Sequence, residues 1–167
     1  MAKFVSKNLM ADENIVYITK LHWVIYLQAL TAILIGAIMI VVIPIFGETT
    51  VKNTLVLPGM IVIIVGILYG IYLNLLIKTS EFVITNKRVI MKKGLISTTT
   101  LEVLFSKAES IAAHQSIGGK LFGYGDITVI GSGGTKNEFN YIEKPFDFRK
   151  AAQDEIDKTN KSMKQVG

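Results

Sequence analysis

Five basic side chains lie within sixteen residues of one another, and their type and spacing suit contact with phosphate groups. They are Lys78, Lys87, Arg88, Lys92 and Lys93. Each basic residue held near an anionic membrane surface contributes about 1 kcal/mol of attraction. Alternation along a strand would place Arg88 and Lys92 on one face and Lys93 on the other. The cluster has two interpretations: a lipid-docking surface for anionic headgroups, or a topology signal combined with a solvated sheet edge.

Residue types that usually carry catalysis are sparse. The two histidines, His22 and His114, lack a carboxylate or a second ligand at metal-binding spacing. The chain has no cysteine, which excludes disulfides, thiolate metal sites and cysteine nucleophiles. Neither a glycine-rich nucleotide motif nor a nucleophile-elbow motif is present. We therefore expect no enzymatic activity, no catalytic residue, no metal and no cofactor.

Two long runs without any charged residue precede this basic cluster, and residues 48–52 separate them. Because an α-helix rises about 1.5 Å per residue, each run is long enough to cross a hydrocarbon core of about 30 Å. The pattern predicts a transmembrane helical hairpin over residues 21–78, with spans at about 22–46 and 54–77. Residues 1–20 form a cytoplasmic N-terminal segment in this interpretation.

The distribution of basic residues predicts the orientation of the hairpin. Eight basic residues flank the two spans on the terminal sides, whereas the connecting loop contains only Lys52. The eight are Lys3, Lys7, Lys20 and the five members of the basic cluster. Because basic residues favour the cytoplasmic side, both termini are expected in the cytoplasm, with the protein in the inner membrane of a bacterial cell. No ionisable residue lies at the predicted midplane, which argues against an ion or proton pathway.

Small residues recur four positions apart near the middle of each span. They are Ala32 and Gly36 in the first span, and Gly66 and Gly70 in the second. Small side chains allow helix backbones to approach closely in lipid. The pattern therefore predicts either packing of the two spans within one hairpin or homo-oligomerisation through one face.

The remainder of the chain is only mildly basic. From residue 79 onward it has thirteen Lys and Arg residues against ten Asp and Glu residues. A nucleic-acid-binding domain carries a much denser basic face, so we expect no nucleic-acid partner.

Short β-type runs and one amphipathic helix make up this C-terminal part. Strands are predicted at 81–85, 88–92, 95–104, 108–115, 126–131 and 138–142. Gly131, Gly133 and Gly134 form either a hairpin turn or a backbone anion nest between the last two strands. The helix begins at Pro145, where proline suits the first helical position. Its predicted apolar face contains Phe148, Ala152, Ile156 and Met163.

Several motifs resemble one family. The segment Glu81-Phe82-x-x-Thr85-Asn86-Lys87-Arg88-Val89, with Gly94-Leu95 after it, is similar to the opening of the bacterial PH-like domains found beside membrane hairpins. The segments Gln115-Ser116-Ile117-x-Gly119-x-Leu121-x-Gly123-Tyr124-Gly125 and Gly131-x-Gly133-Gly134 resemble its middle, and Pro145-Phe146-x-Phe148-Arg149 resembles its end. Asp12-Glu13 and His22-Trp23 also fit the pattern.

The resemblance implies an α+β membrane protein: a two-helix transmembrane hairpin followed by a cytoplasmic PH-like split β-barrel over residues 79–167, capped by one C-terminal α-helix. It implies no settled biochemical activity. Because PH-like folds serve many partners, we expect a non-enzymatic, membrane-anchored interaction module that binds a protein, a second copy of itself or anionic lipid heads. The alternative is an accessory subunit of a transport or envelope-stress and resistance complex, which acts through its transmembrane spans.

Overall fold

The computed structural model describes residues 3–42, 45, 49–95, 97–131 and 134–166. The chain divides into two compact units. We call the first the sheet unit (Met1–His22 together with Leu76–Gly167) and the second the hairpin unit (Trp23–Leu75). Each unit is described by itself below.

The described residues contain five α-helices and seven strands. The helices are α1 (Lys3–Lys7), α2 (Leu27–Ala37), α3 (Thr49–Thr79), α4 (Ile117–Phe122) and α5 (Pro145–Val166). The strands are β1 (Ile15–Thr19), β2 (Glu81–Thr85), β3 (Arg88–Lys93), β4 (Thr99–Leu104), β5 (Ala108–His114), β6 (Tyr124–Gly131) and β7 (Lys136–Glu143). This arrangement confirms the α+β class.

The strands of the sheet unit form two antiparallel sheets, ordered β1-β2-β3-β4 and β5-β6-β7. Apolar side chains of β2 and β3, including Phe82, Ile84 and Met91, are fully buried at the centre of the larger sheet. Three consecutive apolar residues occur in each strand, at 82–84 and 89–91, because side chains on both faces of the strands are buried there.

Helix α5 begins at Pro145, as predicted, and packs against β1, β2, β5 and β6. Phe148, Ala152 and Ile156 are buried, which confirms these three members of the predicted apolar face. The side chain of Met163 lies outside the described residues. Helical spacing brings the apolar side chains to one stripe, so the helix covers the sheets with that stripe.

The N-terminal segment is part of the sheet unit, which differs from the expected division at residues 20 and 79. Strand β1 pairs antiparallel with β2, and Ile18 lies opposite Val83 in the register. Two residues beyond β1, Leu21 forms a bridge with Ile142 of β7. The predicted hairpin therefore interrupts one domain between its first and second strands. Strand β1 was not predicted because it lies next to the first apolar run.

The hairpin unit begins with a 3-10 helix (Trp23–Tyr26), followed by α2 and a π-helical turn (Ile38–Val42). In the described part of the chain, two helical stretches are long and apolar enough to cross a membrane, Trp23–Val41 and Thr54–Thr79. The second agrees with the expected span at 54–77. Residues 43, 44 and 46, at the expected end of the first span, lie outside the described residues.

Glycine brings the two apolar helices into close contact within the hairpin unit. A Cβ atom added at Gly36 would lie 2.6 Å from Ile63 Cγ1 and 2.8 Å from the carbonyl oxygen of Gly59. A Cβ atom at Gly66 would lie 2.8 Å from Ile33 Cγ1. Gly36 and Gly66 therefore lie where the two helices approach each other closely within the hairpin unit.

The other two small residues are less constrained. The Cβ atom of Ala32 lies 3.3 Å from the Cβ position built at Gly66, which is a tight contact within the same hairpin. A Cβ atom at Gly70 would meet only the Cβ atom of Ala29, at 3.7 Å, which is an ordinary van der Waals distance. Gly70 therefore has room for a methyl group, and its predicted role in oligomerisation stays a prediction.

Candidate functional site

Arg88 does not belong to a lipid-docking surface, contrary to the prediction from its position in the chain. Its side chain is only 7% exposed. Arg88 Nε and Nη2 each lie 2.9 Å from one carboxylate oxygen of Glu13, and Nη1 lies 2.7 Å from Glu102 Oε2. Because a bidentate pair of this kind uses the planar guanidinium fully, Arg88 is a structural residue of the sheet unit.

The carboxylate of Glu13 remains charged inside this arrangement. Burial alone would raise the pKa of Glu13, but hydrogen bonds from the Met10 backbone N–H, the Arg88 guanidinium and the Thr85 hydroxyl hold it below its ordinary value of 4.5. The Met10 and Thr85 bonds are both 2.7 Å long. An ionised Glu13 therefore joins the N-terminal segment to β2 and β3.

Two further members of the basic cluster contact the N-terminal segment. Lys87 Nζ donates a hydrogen bond of 2.6 Å to the carbonyl oxygen of Ala11. Lys92 Nζ lies 4.1 Å from the centroid of the Phe4 ring, a cation–π contact. Lys93 is half-buried at the end of β3. The members of the predicted cluster consequently lie in several different environments.

Lys78, the fifth member, lines a cleft in the sheet unit with a volume of about 450 Å³. We call it the lysine cleft. Its lining residues are Tyr17, Ile18, Thr19, Lys20, Ile77, Lys78, Ser80, Glu81, Glu143 and Lys144. Hydroxyl groups, three ammonium groups and two carboxylates thus face one concave surface, which is the usual form of a ligand site.

Separate elements supply the three lysines. Lys20 follows the last residue of β1, and Lys78 lies in the last turn of α3. Lys144 joins β7 to α5 with a φ of +50°, a left-handed conformation that is uncommon for a residue with a side chain. The Lys144 N–H donates a 3.0 Å hydrogen bond to the carbonyl oxygen of Gly123, which holds the backbone in this conformation.

The two carboxylates of the cleft already have partners. Glu81 accepts hydrogen bonds from the backbone N–H groups of Phe4 and Val5 at 3.0–3.1 Å. Glu143 Oε2 lies 3.7 Å from Lys20 Nζ, and because both side chains are partly exposed this ion pair is weak. Within the described part of the chain, no hydrogen bond or ion pair engages the ammonium group of Lys78 or Lys144. The cleft therefore offers two available positive charges.

Tyr17 adds a neutral hydroxyl group to the cleft. Burial raises the pKa of Tyr17, and the charges of Asp147 and Glu143 raise it further. The phenol consequently stays protonated at neutral pH and is able to donate a hydrogen bond to an anion.

Sequence reasoning identified this site only in part. The position of Lys20 before the first span indicates only a topology role. Lys144 follows the last strand of the other sheet, so the sequence does not show that it lies near Lys20 and Lys78. The glycine nest cannot be placed, because Ser132 and Gly133 lie outside the described residues. Among the residues that the structure describes, no three His, Asp or Glu side chains are grouped as metal ligands would be.

Comparison with known proteins identifies the family. Residues 16–155 match the family model described as the bacterial PH domain. The match begins within β1 and ends within α5, so it includes the strands on both sides of the hairpin unit. The searches of curated proteins and of solved structures found no significant match. Because the family match covers well over half of the sequence, the chain belongs to the bacterial PH domain family.

Proposed function

We propose that the chain is a non-enzymatic, membrane-anchored PH-like interaction module at the cytoplasmic face of the bacterial inner membrane, and that its lysine cleft binds the headgroup of an anionic lipid. The observation that carries the proposal is where the cleft lysines lie along the chain. Lys20 lies three residues before Trp23, and Lys78 lies in the last turn of α3. Lysines at the ends of membrane spans lie at headgroup depth.

Exposure of the apolar side chains supports membrane anchoring. Leu34, Val65 and Leu68 are each more than half exposed, although they lie in the two most apolar helices of the chain. The central helix of a soluble protein would bury such side chains, because exposed apolar surface costs about 25 cal/mol per Å². A hydrocarbon phase around the hairpin unit removes this cost.

The charge of the cleft favours a phosphodiester. Three lysines and two glutamates leave a formal charge of 3 − 2 = +1. This charge matches the single negative charge of a phosphodiester headgroup such as that of phosphatidylglycerol. The Tyr17 hydroxyl supplies a neutral donor beside the two available ammonium groups.

A groove in the hairpin unit favours the second candidate, an accessory subunit of a membrane complex. The groove measures about 560 Å³, and its lining is almost wholly apolar apart from Asn74. It includes Gly70, where a partner helix could approach the backbone because only Ala29 lies near the Cβ position. Replacing the two spans by an unrelated hairpin separates the candidates, because activity in the cell survives only if the sheet unit carries the function.

Native mass spectrometry of the full chain tests the lipid proposal. Released from detergent micelles, the protein should retain phosphatidylglycerol in preference to phosphatidylcholine. Each cleft lysine is worth roughly a fivefold change in binding, or about 1 kcal/mol. The triple variant Lys20→Gln, Lys78→Gln, Lys144→Gln should therefore lose the preference.

A second triple variant is the matched control. Lys107→Gln, Lys136→Gln, Lys150→Gln removes the same charge from exposed positions elsewhere in the sheet unit and should keep the preference. Equal retention of both lipids by the unaltered chain would refute headgroup binding. Equal loss in both triple variants would show a nonspecific effect of net charge instead.

A further inference from the structure

Helix α4 displays large apolar side chains on the surface of the sheet unit. Ile117 is 90% exposed, Leu121 is 79% exposed and Phe122 is 46% exposed. Residues four apart lie on the same face of a helix, so Ile117 and Leu121 form one apolar ridge. Exposed apolar groups this close together are unusual on a soluble surface and indicate an interaction site.

The ridge stands on a rigid base. The Ser116 hydroxyl accepts a 3.1 Å hydrogen bond from the Gly119 N–H and caps the helix. Gln115 Nε2 donates to the carbonyl oxygens of Gly119 and Tyr124, both at 2.9 Å. Gly123 ends the helix in the left-handed conformation, with φ at +82°. The exposure is therefore a fixed property of the fold.

Helix α4 lies beside the residue from which the chain enters its first apolar helix. The His22 ring lies 5.5 Å from the Tyr124 ring and hydrogen-bonds the backbone of Phe122. The His22 N–H donates a 2.7 Å hydrogen bond to the carbonyl oxygen of Tyr141, which fixes the backbone of His22 within the sheet unit. The next residue, Trp23, begins the candidate span.

We propose that the cytoplasmic bilayer interface is the partner of this surface, and that α4 inserts Ile117, Leu121 and Phe122 among the lipid headgroups and upper acyl chains. The inference rests on the membrane anchoring proposed above, but not on the lysine cleft. His22, which contacts the end of α4, directly precedes Trp23, the first residue of the candidate span. Monotopic helices bind bilayers in this way, with their apolar face turned toward the lipid.

Charge around the ridge suits the same partner. Lys120 lies within α4, and Lys144 is bonded to its C-terminal cap through Gly123. No acidic residue occurs between Gln115 and Gly125. An apolar ridge with flanking lysines matches an anionic leaflet, where the lysines meet phosphate groups and the ridge meets hydrocarbon.

Spin labelling of the full chain in phosphatidylglycerol vesicles tests the proposal. Because the chain has no cysteine, Leu121→Cys, Leu104→Cys and Leu68→Cys each place one nitroxide at a chosen site. Leu104 is the matched control, an exposed leucine paired with Arg88 at the end of β3 farthest from α3. Leu68, in the candidate second span, reports anchoring.

Oxygen concentrates in lipid, whereas a nickel chelate stays in water. We expect oxygen to relax the nitroxide spins at 121 and 68 faster than the chelate does, and the chelate to be the faster relaxing agent at 104. A label at 121 that behaves like the one at 104, with 68 still in lipid, would overturn the proposal and leave the anchoring intact. Shielding of 121 from both reagents would also overturn it, since that indicates burial against a second copy. A label at 68 in water would refute the anchoring and this inference together.

Discussion

The Arg88 guanidinium and the Glu13 carboxylate occupy the interior of the sheet unit together, with exposures of 7% and 0%. Removing two charges from water costs several kcal/mol each, and only close, well-aligned hydrogen bonds compensate for that cost. The Glu13 carboxylate accepts bonds from the Arg88 guanidinium, the Met10 N–H and the Thr85 hydroxyl. Loss of Arg88 leaves the buried Glu13 carboxylate without its cationic partner, whereas loss of Glu13 leaves Arg88 paired with Glu102 alone.

Arg88→Met should therefore lower the free energy of unfolding by about 3–5 kcal/mol, the usual cost of breaking a buried ion pair from one side. Urea unfolding of the full chain in mild detergent measures this change, and the transition observed is the unfolding of the sheet unit. Lys107→Met, at an exposed position, is the control and should change stability by less than about 0.5 kcal/mol. Equal effects of the two substitutions would exclude a structural role for Arg88.

The lowered pKa of Glu13 predicts the pH dependence of this stabilisation. Its pKa in the folded chain lies below the ordinary 4.5, so the contribution is fully present above pH 4.5 and is lost as the pH falls through the folded value. Glu13→Gln should be less stable than the unaltered chain at pH 7. The difference should shrink below pH 4.5, where protonated Glu13 resembles glutamine. A difference that stayed constant to low pH would contradict the assignment.

Residue identity alone indicated only part of the site. The sequence indicates Lys78 by its position after the second apolar run, as one of five clustered cations, and the structure places it in the lining of the lysine cleft. The sequence does not show that Arg88 meets Glu13, because 75 positions separate them. Burial and long-range pairing decide whether a basic side chain is a ligand or a structural partner.

At the scale of elements, most strands of the sheet unit were predictable because turn residues separate short runs of β-branched and apolar residues. Strands β2, β3, β5 and β6 agree with the predicted ranges within two residues. The glycine-rich sequence of α4 does not distinguish a helical turn from a loop. Its helix depends on the Ser116 cap and the Gln115 side chain, which are contacts rather than periodicities.

The packing of α2 on α3 depends on glycine at specific positions. Gly36→Ala should destabilise the hairpin by about 1–3 kcal/mol, because its methyl group would meet the Gly59 carbonyl oxygen at 2.8 Å. Gly70→Ala is the matched control, since a methyl group there lies at an ordinary 3.7 Å from Ala29. Unfolding in mixtures of dodecyl sulfate and maltoside measures both. Similar stabilities of the two variants would argue against close packing at Gly36.

Gly59 was missed by the search for small residues four positions apart. It lies seven residues before Gly66 and eleven before Gly70, and both spacings return to the same face of a helix. Spacings of seven and eleven residues therefore indicate that Gly59 shares a helix face with Gly66 and Gly70. A motif of small residues four positions apart does not include it. A Cβ atom added at Gly59 would meet the Gly36 carbonyl oxygen of α2 at 3.2 Å and Ile40 Cγ1 of the following turn at 2.7 Å, so Gly59 faces both.

At the scale of the whole molecule, one bacterial PH domain is built from two chain segments with the apolar hairpin inserted between them. Strand β1 precedes the hairpin, and the other six strands of the described chain follow it. If the hairpin spans the membrane, the domain is attached at both ends of its insertion. Membrane anchoring through this hairpin, with both termini in the cytoplasm, is the central claim of the proposed function.

Reporter fusions test this claim most directly. Alkaline phosphatase, which is active only outside the cytoplasm, is joined after Lys52 in one fusion protein and after Gly167 in another. A membrane-spanning hairpin with cytoplasmic ends predicts activity after Lys52 and none after Gly167. Inactivity at both positions would show that the hairpin does not cross the membrane, and activity after Gly167 would place the PH domain on the opposite side.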